Sequence, residues 1–325
     1  VRDALDAFAR AHGVTRLARL TGLDRTGVEV VGAVRPFGHV LQVCQGKGWT
    51  LEAARRSALG EALELEAAEA PDPERLRFGP AAADAVDDAQ GLSVAWVRGR
   101  LLGRGGPRSV PAQAVYCPPA GTAWLGPAVT RWQSNGLASH PTSLAKATEH
   151  AVLELLERDA LARVLPRGWT VAVARRALVE APPRVAAVEA RGFAAFVFDL
   201  SPPGQPLSVA GALLFDLEGG PVPLTAGYAC RRAFADAADA AFLEAAQSRL
   251  TEIHGAREDV LTGDRAGAEA LLAALRRARR RPAPRRSYRG PLAAAARSPI
   301  VIVQLSARPF VVKAVAPGLL VSELL

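Results

Sequence analysis

Three stretches of this chain set two oxygen-bearing side chains one helical turn apart: Glu61 with Glu64, Glu154 with Glu157, and Glu244 with Gln247. Residues spaced three or four apart share one face of a helix, so each pair presents its polar groups together. Two carboxylates so placed offer hard oxygen ligands to a divalent cation. Around the second pair, steps of four give Lys146, His150, Glu154 and Arg158, a stripe that mixes ammonium, imidazole, carboxylate and guanidinium. Ser57 precedes Glu61 by one turn on the same stripe, and Thr251 follows Gln247 by one turn, with Arg249 off to the side. Gly46-Lys47-Gly48 reads as a turn between strand and helix, where backbone N–H groups and one ammonium could meet a phosphate. It lacks the spacing and the ending of a Walker A loop. Taken singly, each helix is more often a solvated face laced with ion pairs.

The elements that must position these groups are legible around them. The spacing predicts helices over 51–70, 144–161 and 235–254; the second has Thr142 or Ser143 as its N-cap, and Gly255 closes the third. Each carries apolar residues beside the polar stripe: Ala54, Ala58, Ala62 and Leu65 in the first, Ala151, Val152, Leu155 and Leu156 in the second, Leu243, Ala246, Leu250 and Ile253 in the third. Ser134-Asn135-Gly136 reads as a tight turn ahead of the second helix. Apolar runs at 193–200, 207–215, 300–305 and 310–315 read as strands, and 71–118 as a surface connection leading into further strands. No internal repeat of solenoid length is apparent.

At 325 residues, with 50% hydrophobic and 22% charged side chains, the chain has the composition of a globular protein able to bury a large core. Its formal net charge of +8, from 40 Lys plus Arg against 32 Asp plus Glu, favours anionic partners. Much of that excess falls in 276–289, RRARRRPAPRRSYR, expected to be a mobile basic loop. Cys44, Cys117 and Cys230 have neither the spacing of a zinc site nor that of a disulfide framework. No apolar run reaches membrane-spanning length, the first residues are not a signal peptide, and a cytoplasmic location is expected.

The ordered pieces QGKGWTLEAARRSALGEALE at 45–64, SNGLASHPTSLAKATEHAVLELLERDA at 134–160 and FLEAAQSRLTEIHGARED at 242–259, with the early GVTRLARLTGLDRTGVEVVGAVRP and the late VVKAVAPG, resemble the YcaO superfamily over nearly the whole chain. The resemblance implies a mixed α+β fold, a single domain spanning 1–325 and built of intimate subdomains, with helices packed on antiparallel or mixed sheets and a nucleotide site between them. It implies ATP and Mg2+ as cofactors. Carried over by position, Glu61, Glu64, Glu154 and Glu157 are expected to hold magnesium, and Ser57, Ser139, Arg158, Glu244, Gln247, Arg249 and Arg257 to contact nucleotide. Lys146 departs from the pattern, which has a glutamate there.

Members of this family phosphorylate a backbone amide oxygen as a nucleophile attacks its carbonyl carbon. A Cys, Ser or Thr side chain gives an azoline, and an external sulfur donor gives a thioamide. Such chemistry depends on positioning and charge neutralisation more than on a protein nucleophile, and no covalent nucleophile is expected here. The segment TGLDRTGVEVVGAVRP is most similar to members that work with a TfuA-type partner, so the expected activity is thioamidation of a peptide or protein with a separate sulfur-handling partner, in a homodimer. An azoline-forming cyclodehydratase is the alternative enzyme, and an inactive nucleotide-binding scaffold the alternative outside catalysis. Nucleic-acid binding, which only the 276–289 run would carry, is not expected.

Overall fold

In a computed structural model of the chain, which describes residues 2–103, 105–255 and 265–321, the three polar helices form, and each follows the edge strand of a different sheet. The first sheet has the order β1-β2-β3, from Arg16–Arg19, Glu29–Val34 and Val43–Gly48. Helix α1 (Arg2–Ala11) precedes it, and α2 (Leu51–Glu69) leaves its edge strand β3. The second sheet runs β4-β5-β12-β13-β7, with β6 also paired to β5. Its strands are Leu76–Gly79 (β4), Val94–Leu101 (β5), Pro107–Pro111 (β6), Gln133–His140 (β7), Val301–Ala307 (β12) and Phe310–Ala316 (β13), and α3 (Leu144–Val164) leaves the edge strand β7. In the third sheet, ordered β11-β10-β9-β8, helix α4 (Val171–Ala177) leads into β8 (Leu178–Val179) and α5 (Ala186–Glu189) into β9 (Phe193–Asp199). Strands β10 (Ser208–Asp216) and β11 (Leu224–Arg231) follow, and α6 (Phe234–His254) leaves the edge strand β11. Helices α7 (Arg265–Arg276) and α8 (Leu292–Ala295) lie between α6 and β12. The ladders pair antiparallel, as the mixed α+β reading expects.

Two of the turns read from the sequence are strands. Gly46-Lys47-Gly48 is the end of β3, and Ser134-Asn135-Gly136 lies within β7. Their glycines serve close packing instead of chain reversal. A Cβ on Gly46 would sit 1.9 Å from Ala58 N, on Gly136 2.2 Å from Ala151 O, and on Gly227 of β11 2.2 Å from Ala245 N. Each edge strand is therefore pressed onto the helix that follows it at a bare glycine.

The apolar faces of these helices close the core. Ala54, Ala58, Leu59, Ala62 and Leu63 of α2 pack on Val31, Ala33 and Cys44. Ala151, Val152, Leu155 and Leu156 of α3 join Phe196, Phe198, Val312 and Ala314, and Ala241, Phe242, Ala245 and Leu250 of α6 join Val197, Ala210 and Ala212. Thr50 Oγ1 and Ser143 Oγ accept the first-turn N–H groups of Ala53 and Lys146, which selects Ser143 over Thr142 as the cap of α3. Gly255 closes α6 in the left-handed conformation.

The 276–289 run, expected to be a mobile basic loop, makes main-chain hydrogen bonds to its neighbours. Arg281 pairs with β8 through Glu180 N to Arg281 O (2.9 Å) and Arg281 N to Leu178 O (3.2 Å), while Tyr288 N donates to Arg232 O (2.9 Å) and Phe234 N to Arg286 O (3.3 Å). The Arg286 guanidinium adds bonds to Asp199 and Ser201. The free edge of β8 and the uncapped first turn of α6 both leave backbone groups unpaired, and the strap satisfies them. Among the described residues, no helix is long and apolar enough to cross a membrane.

Candidate active site

An edge strand leaves every second N–H unpaired, and here the site carboxylates accept hydrogen bonds from those groups. Helix α2 sends Glu61 to Gln45 N of its own strand β3 (2.8 Å) and Glu64 across to Ser139 N of β7 (2.8 Å). Helix α3 sends Glu154 to Leu137 N of β7 (3.2 Å) and Glu157 across to Cys230 N of β11 (2.9 Å). Helix α6 sends Glu244 to Tyr228 N of β11 (3.3 Å) and Gln247 back to β3, where its Nε2 donates to Gln45 O (2.8 Å). The result is a closed ring with approximate threefold repetition: each helix holds its own edge strand with the first residue of the pair and the next strand with the residue three positions later. Gln247, an amide, stands where a third cross-linking carboxylate would be and donates where the others accept.

Cations are interleaved with these acids. Lys47 Nζ lies 2.8 Å from Glu244 Oε2. Arg158 lies on α3 beside Glu157, with Nε 3.8 Å from Glu157 Oε1, and this Nε is buried without a hydrogen-bond partner. Lys313, on β13 opposite Leu137, sits among Glu154, Cys117 and Glu64, and burial pulls its ammonium below its ordinary value despite those neighbours. The amide atoms Gln45 Nε2 and Gln247 Oε1 are likewise buried without partners. Ser139 Oγ lies 3.0 Å from Glu64 Oε1.

The electrostatics are those of a site short of positive charge. Burial, then the neighbouring Glu154, holds the Glu64 carboxyl well above the usual carboxylate range, and burial raises Glu154 as well. Burial and the Glu244 carboxylate push Glu157 up to about 7. Burial acts the same way on Glu244, but the Lys47 ammonium, with Arg158 and the Tyr228 N–H, outweighs it and keeps that carboxyl below its ordinary value. Buried carboxylates that repel one another are relieved by a multivalent cation. Among the described residues, no three His, Cys, Asp or Glu side chains converge closely enough to hold a metal ion alone. That arrangement still fits magnesium, which is commonly bound by one or two carboxylates together with phosphate oxygens and water. The unpartnered Arg158 Nε and the Lys47 and Lys313 ammoniums fit the phosphates. Glu61, Glu64, Glu154 and Glu157 are the candidates from which magnesium could draw one or two carboxylates, while Glu244 is tied to Lys47.

The structure gathers most of the predicted site residues and sets some apart. Glu61, Glu64, Ser139, Glu154, Glu157, Arg158, Glu244 and Gln247 belong to the ring, and Ser57 is exposed one turn before Glu61. Arg249 does not belong to it. Its guanidinium, 2% exposed, is spent on Asp24 (3.0 Å) and Asp216 (2.7 Å), because it leaves α6 on the side facing the loop before β2. Arg257 lies outside the described residues. Lys146 is exposed in the first turn of α3, about two turns from Glu154. The sequence reading did not single out Gln45 or Lys313. Gln45 adjoins the Gly46-Lys47 pair, and Lys313 is the lone cation inside the apolar run VVKAVA.

A family model described as "YcaO cyclodehydratase, ATP- and Mg2+-binding" matches residues 67–319. An uncharacterized protein of Methanothermobacter thermautotrophicus is 31% identical over 80% of this chain and 72% of its own length. An uncharacterized protein from the tfuA 3' region of Rhizobium leguminosarum bv. trifolii is 30% identical over 79% of this chain, which spans 66% of that relative; a Mycobacterium tuberculosis relative is spanned over 61%. Among solved structures, a YcaO protein of Methanopyrus kandleri bound with AMPPCP and Mg2+ superposes with a TM-score of 0.69 at 23% identity, covering 98% of this chain and 88% of that one. The Escherichia coli microcin synthetase McbBCD complex with pro-MccB17 superposes with a TM-score of 0.65 at 15% identity, covering 91% and 86%, and at such identities both likenesses establish the fold alone. The chain belongs to the YcaO family, and its cofactors are ATP and Mg2+.

Proposed function

We propose that this chain, as a homodimer, activates a backbone amide of a peptide or protein and, with a TfuA-type partner handling sulfur, converts that amide to a thioamide. The observation that favours thioamide over azoline is the 30%-identical relative encoded in a tfuA 3' region. When bound, ATP with Mg2+ supplies the phosphoryl group that makes the amide oxygen a leaving group. The chain's own residues hold and orient. Glu61, Glu64, Glu154 and Glu157 present oxygen ligands, while Arg158, Lys47 and Lys313 face the phosphate charge in a site where few waters compete.

In the reaction, hydrosulfide attacks the amide carbon, the amide oxygen takes the γ-phosphoryl group from ATP as ADP leaves, and phosphate then departs with that oxygen and the S–H proton as the carbon–sulfur double bond forms. Oxygen is exchanged for sulfur, ADP and phosphate are released, and no electrons are transferred to or from an outside reagent. The carboxylates act as ligands, and no side chain of the chain bonds covalently to the substrate.

The family model's description as a cyclodehydratase supports a second reading, azoline formation by a substrate Cys, Ser or Thr. Incubating the protein, partner, sulfide, ATP and candidate peptide and weighing the product separates the readings. The thioamide reading predicts a mass gain equal to oxygen-to-sulfur exchange with stoichiometric ADP release. Loss of one water establishes azoline formation, and nucleotide binding without turnover points to the scaffold that the Lys146 departure would suit.

A further inference from the structure

Eight of the fourteen residues from 276 to 289 are arginines, and none is acidic. All but Arg286 are exposed, and those seven have no acidic partner among the described residues. A mobile tail can spread like charges apart. This strap cannot, because its backbone is tied to β8 at Arg281, to Arg232 at Tyr288 and to the first turn of α6 at Arg286. Arg280 is further fixed over the Phe196 ring, 5.4 Å from its centroid. Guanidinium groups held side by side along this strap repel one another, and an anionic ligand relieves that repulsion.

The ridge ends beside the helix and strand that carry the site. Arg232 Nε lies 2.5 Å from Glu149 of α3, and its Nη1 donates to the carbonyl of Gly290 (2.8 Å). Glu149 is one residue from His150, which precedes Glu154 by one turn, and Arg232 directly follows the strand whose Tyr228 and Cys230 hold Glu244 and Glu157. A chain lying along the strap thus runs toward α3 and β11, the elements that carry Glu154 and Glu157 and the backbone partners of Glu157 and Glu244.

We infer that the 277–289 strap is a docking ridge for an acidic, extended segment of the polypeptide substrate, outside the part whose amide reacts. This rests on the reading that the substrate is a peptide or protein. Carboxylates suit the forked donors of arginine. Single-stranded nucleic acid is disfavoured, because such sites pair basic charge with free aromatic faces. The strap's one aromatic residue, Tyr288, has its hydroxyl bonded to Pro291 O (2.8 Å) and its ring beneath Arg232.

Fluorescence anisotropy with a labelled oligoglutamate peptide and a labelled single-stranded RNA of equal length tests the inference without any turnover. The wild-type chain should bind oligoglutamate more tightly than RNA at moderate salt. The quadruple variant Arg277→Gln, Arg279→Gln, Arg285→Gln and Arg289→Gln should weaken that binding by at least about tenfold, with an unchanged thermal midpoint. A Glu154→Gln variant should bind oligoglutamate as wild type does while losing ATP turnover, which separates failure of docking from failure of the catalytic reading. Tighter binding of RNA, or equal oligoglutamate binding by the quadruple variant, overturns the proposal.

Discussion

The Glu157→Gln variant is expected to be more stable than wild type at pH 8 and to lose ATP-dependent turnover by at least about a hundredfold. The two effects share one cause. Burial and Glu244 raise the Glu157 carboxyl to about 7, so the folded, ligand-free protein binds a proton there that the unfolded chain gives up near the ordinary glutamate value. Where the folded state binds more protons, stability falls as pH rises. The contribution of Glu157 is therefore intact below the ordinary glutamate range and lost as pH climbs through about 7, an effect on the order of 3 kcal/mol. The raised carboxyls of Glu64 and Glu154 act in the same direction.

A glutamine keeps the acceptor for Cys230 N and removes the buried charge. At pH 8 the melting midpoint of the apo variant should rise by about 3–6 °C. Turnover falls because the second carboxylate oxygen and the negative charge are lost to magnesium and Arg158 loses its nearest acid. Scanning calorimetry at pH 5.5 and pH 8, with an ADP-release assay beside it, checks both halves. A variant less stable than wild type at pH 8 contradicts the electrostatic account.

Gly46→Ala is expected to have the second large effect, because a methyl at this position meets backbone and not side chain. The added Cβ would stand 1.9 Å from Ala58 N and 2.4 Å from Ala54 O, so β3 must leave α2. Overpacking of this kind costs about 1–3 kcal/mol or more. Displacing β3 also moves Gln45, whose N–H holds Glu61 and whose carbonyl holds Gln247, and a shift of about 1 Å in a positioned site can cost roughly a hundredfold in rate. Gly22→Ala serves as the control, since nothing lies within 4 Å of its Cβ position and its stability should change by less than about 0.5 kcal/mol. A Gly46→Ala protein with wild-type turnover and midpoint would show that the strand-to-helix contact does not set the ring.

Much of this was legible in the residues. The one-turn spacing of Glu61 with Glu64, Glu154 with Glu157 and Glu244 with Gln247 placed each pair on one helix face, and the breaks in apolar pattern placed the helices. What spacing cannot convey is which strand lies beneath each helix. The GKG and SNG stretches read as turns because glycine is most often used for chain reversal, whereas here Gly46 and Gly136 permit two backbones to touch. Lys313 was invisible for a related reason: its role depends on β13 pairing with β7, a contact between residues far apart in the chain. Arg249 misled because the direction in which it leaves α6 is decided by Asp24 and Asp216, which only the fold brings to it. The main-chain bonds that join the arginine run to β8 and α6 leave no trace in side-chain type.

The central claim, that this carboxylate ring seats the magnesium nucleotide, is tested most directly by counting protons when a magnesium-saturated, non-hydrolysable ATP analogue binds at pH 6.5. Titration calorimetry in two buffers of different ionisation enthalpy gives the count. The wild-type protein should release on the order of one proton, because cation binding requires deprotonated ligands, and should release fewer at pH 8. Glu157→Gln should release correspondingly less. Tight binding with no proton release, or release unchanged in Glu157→Gln, would place the magnesium nucleotide elsewhere.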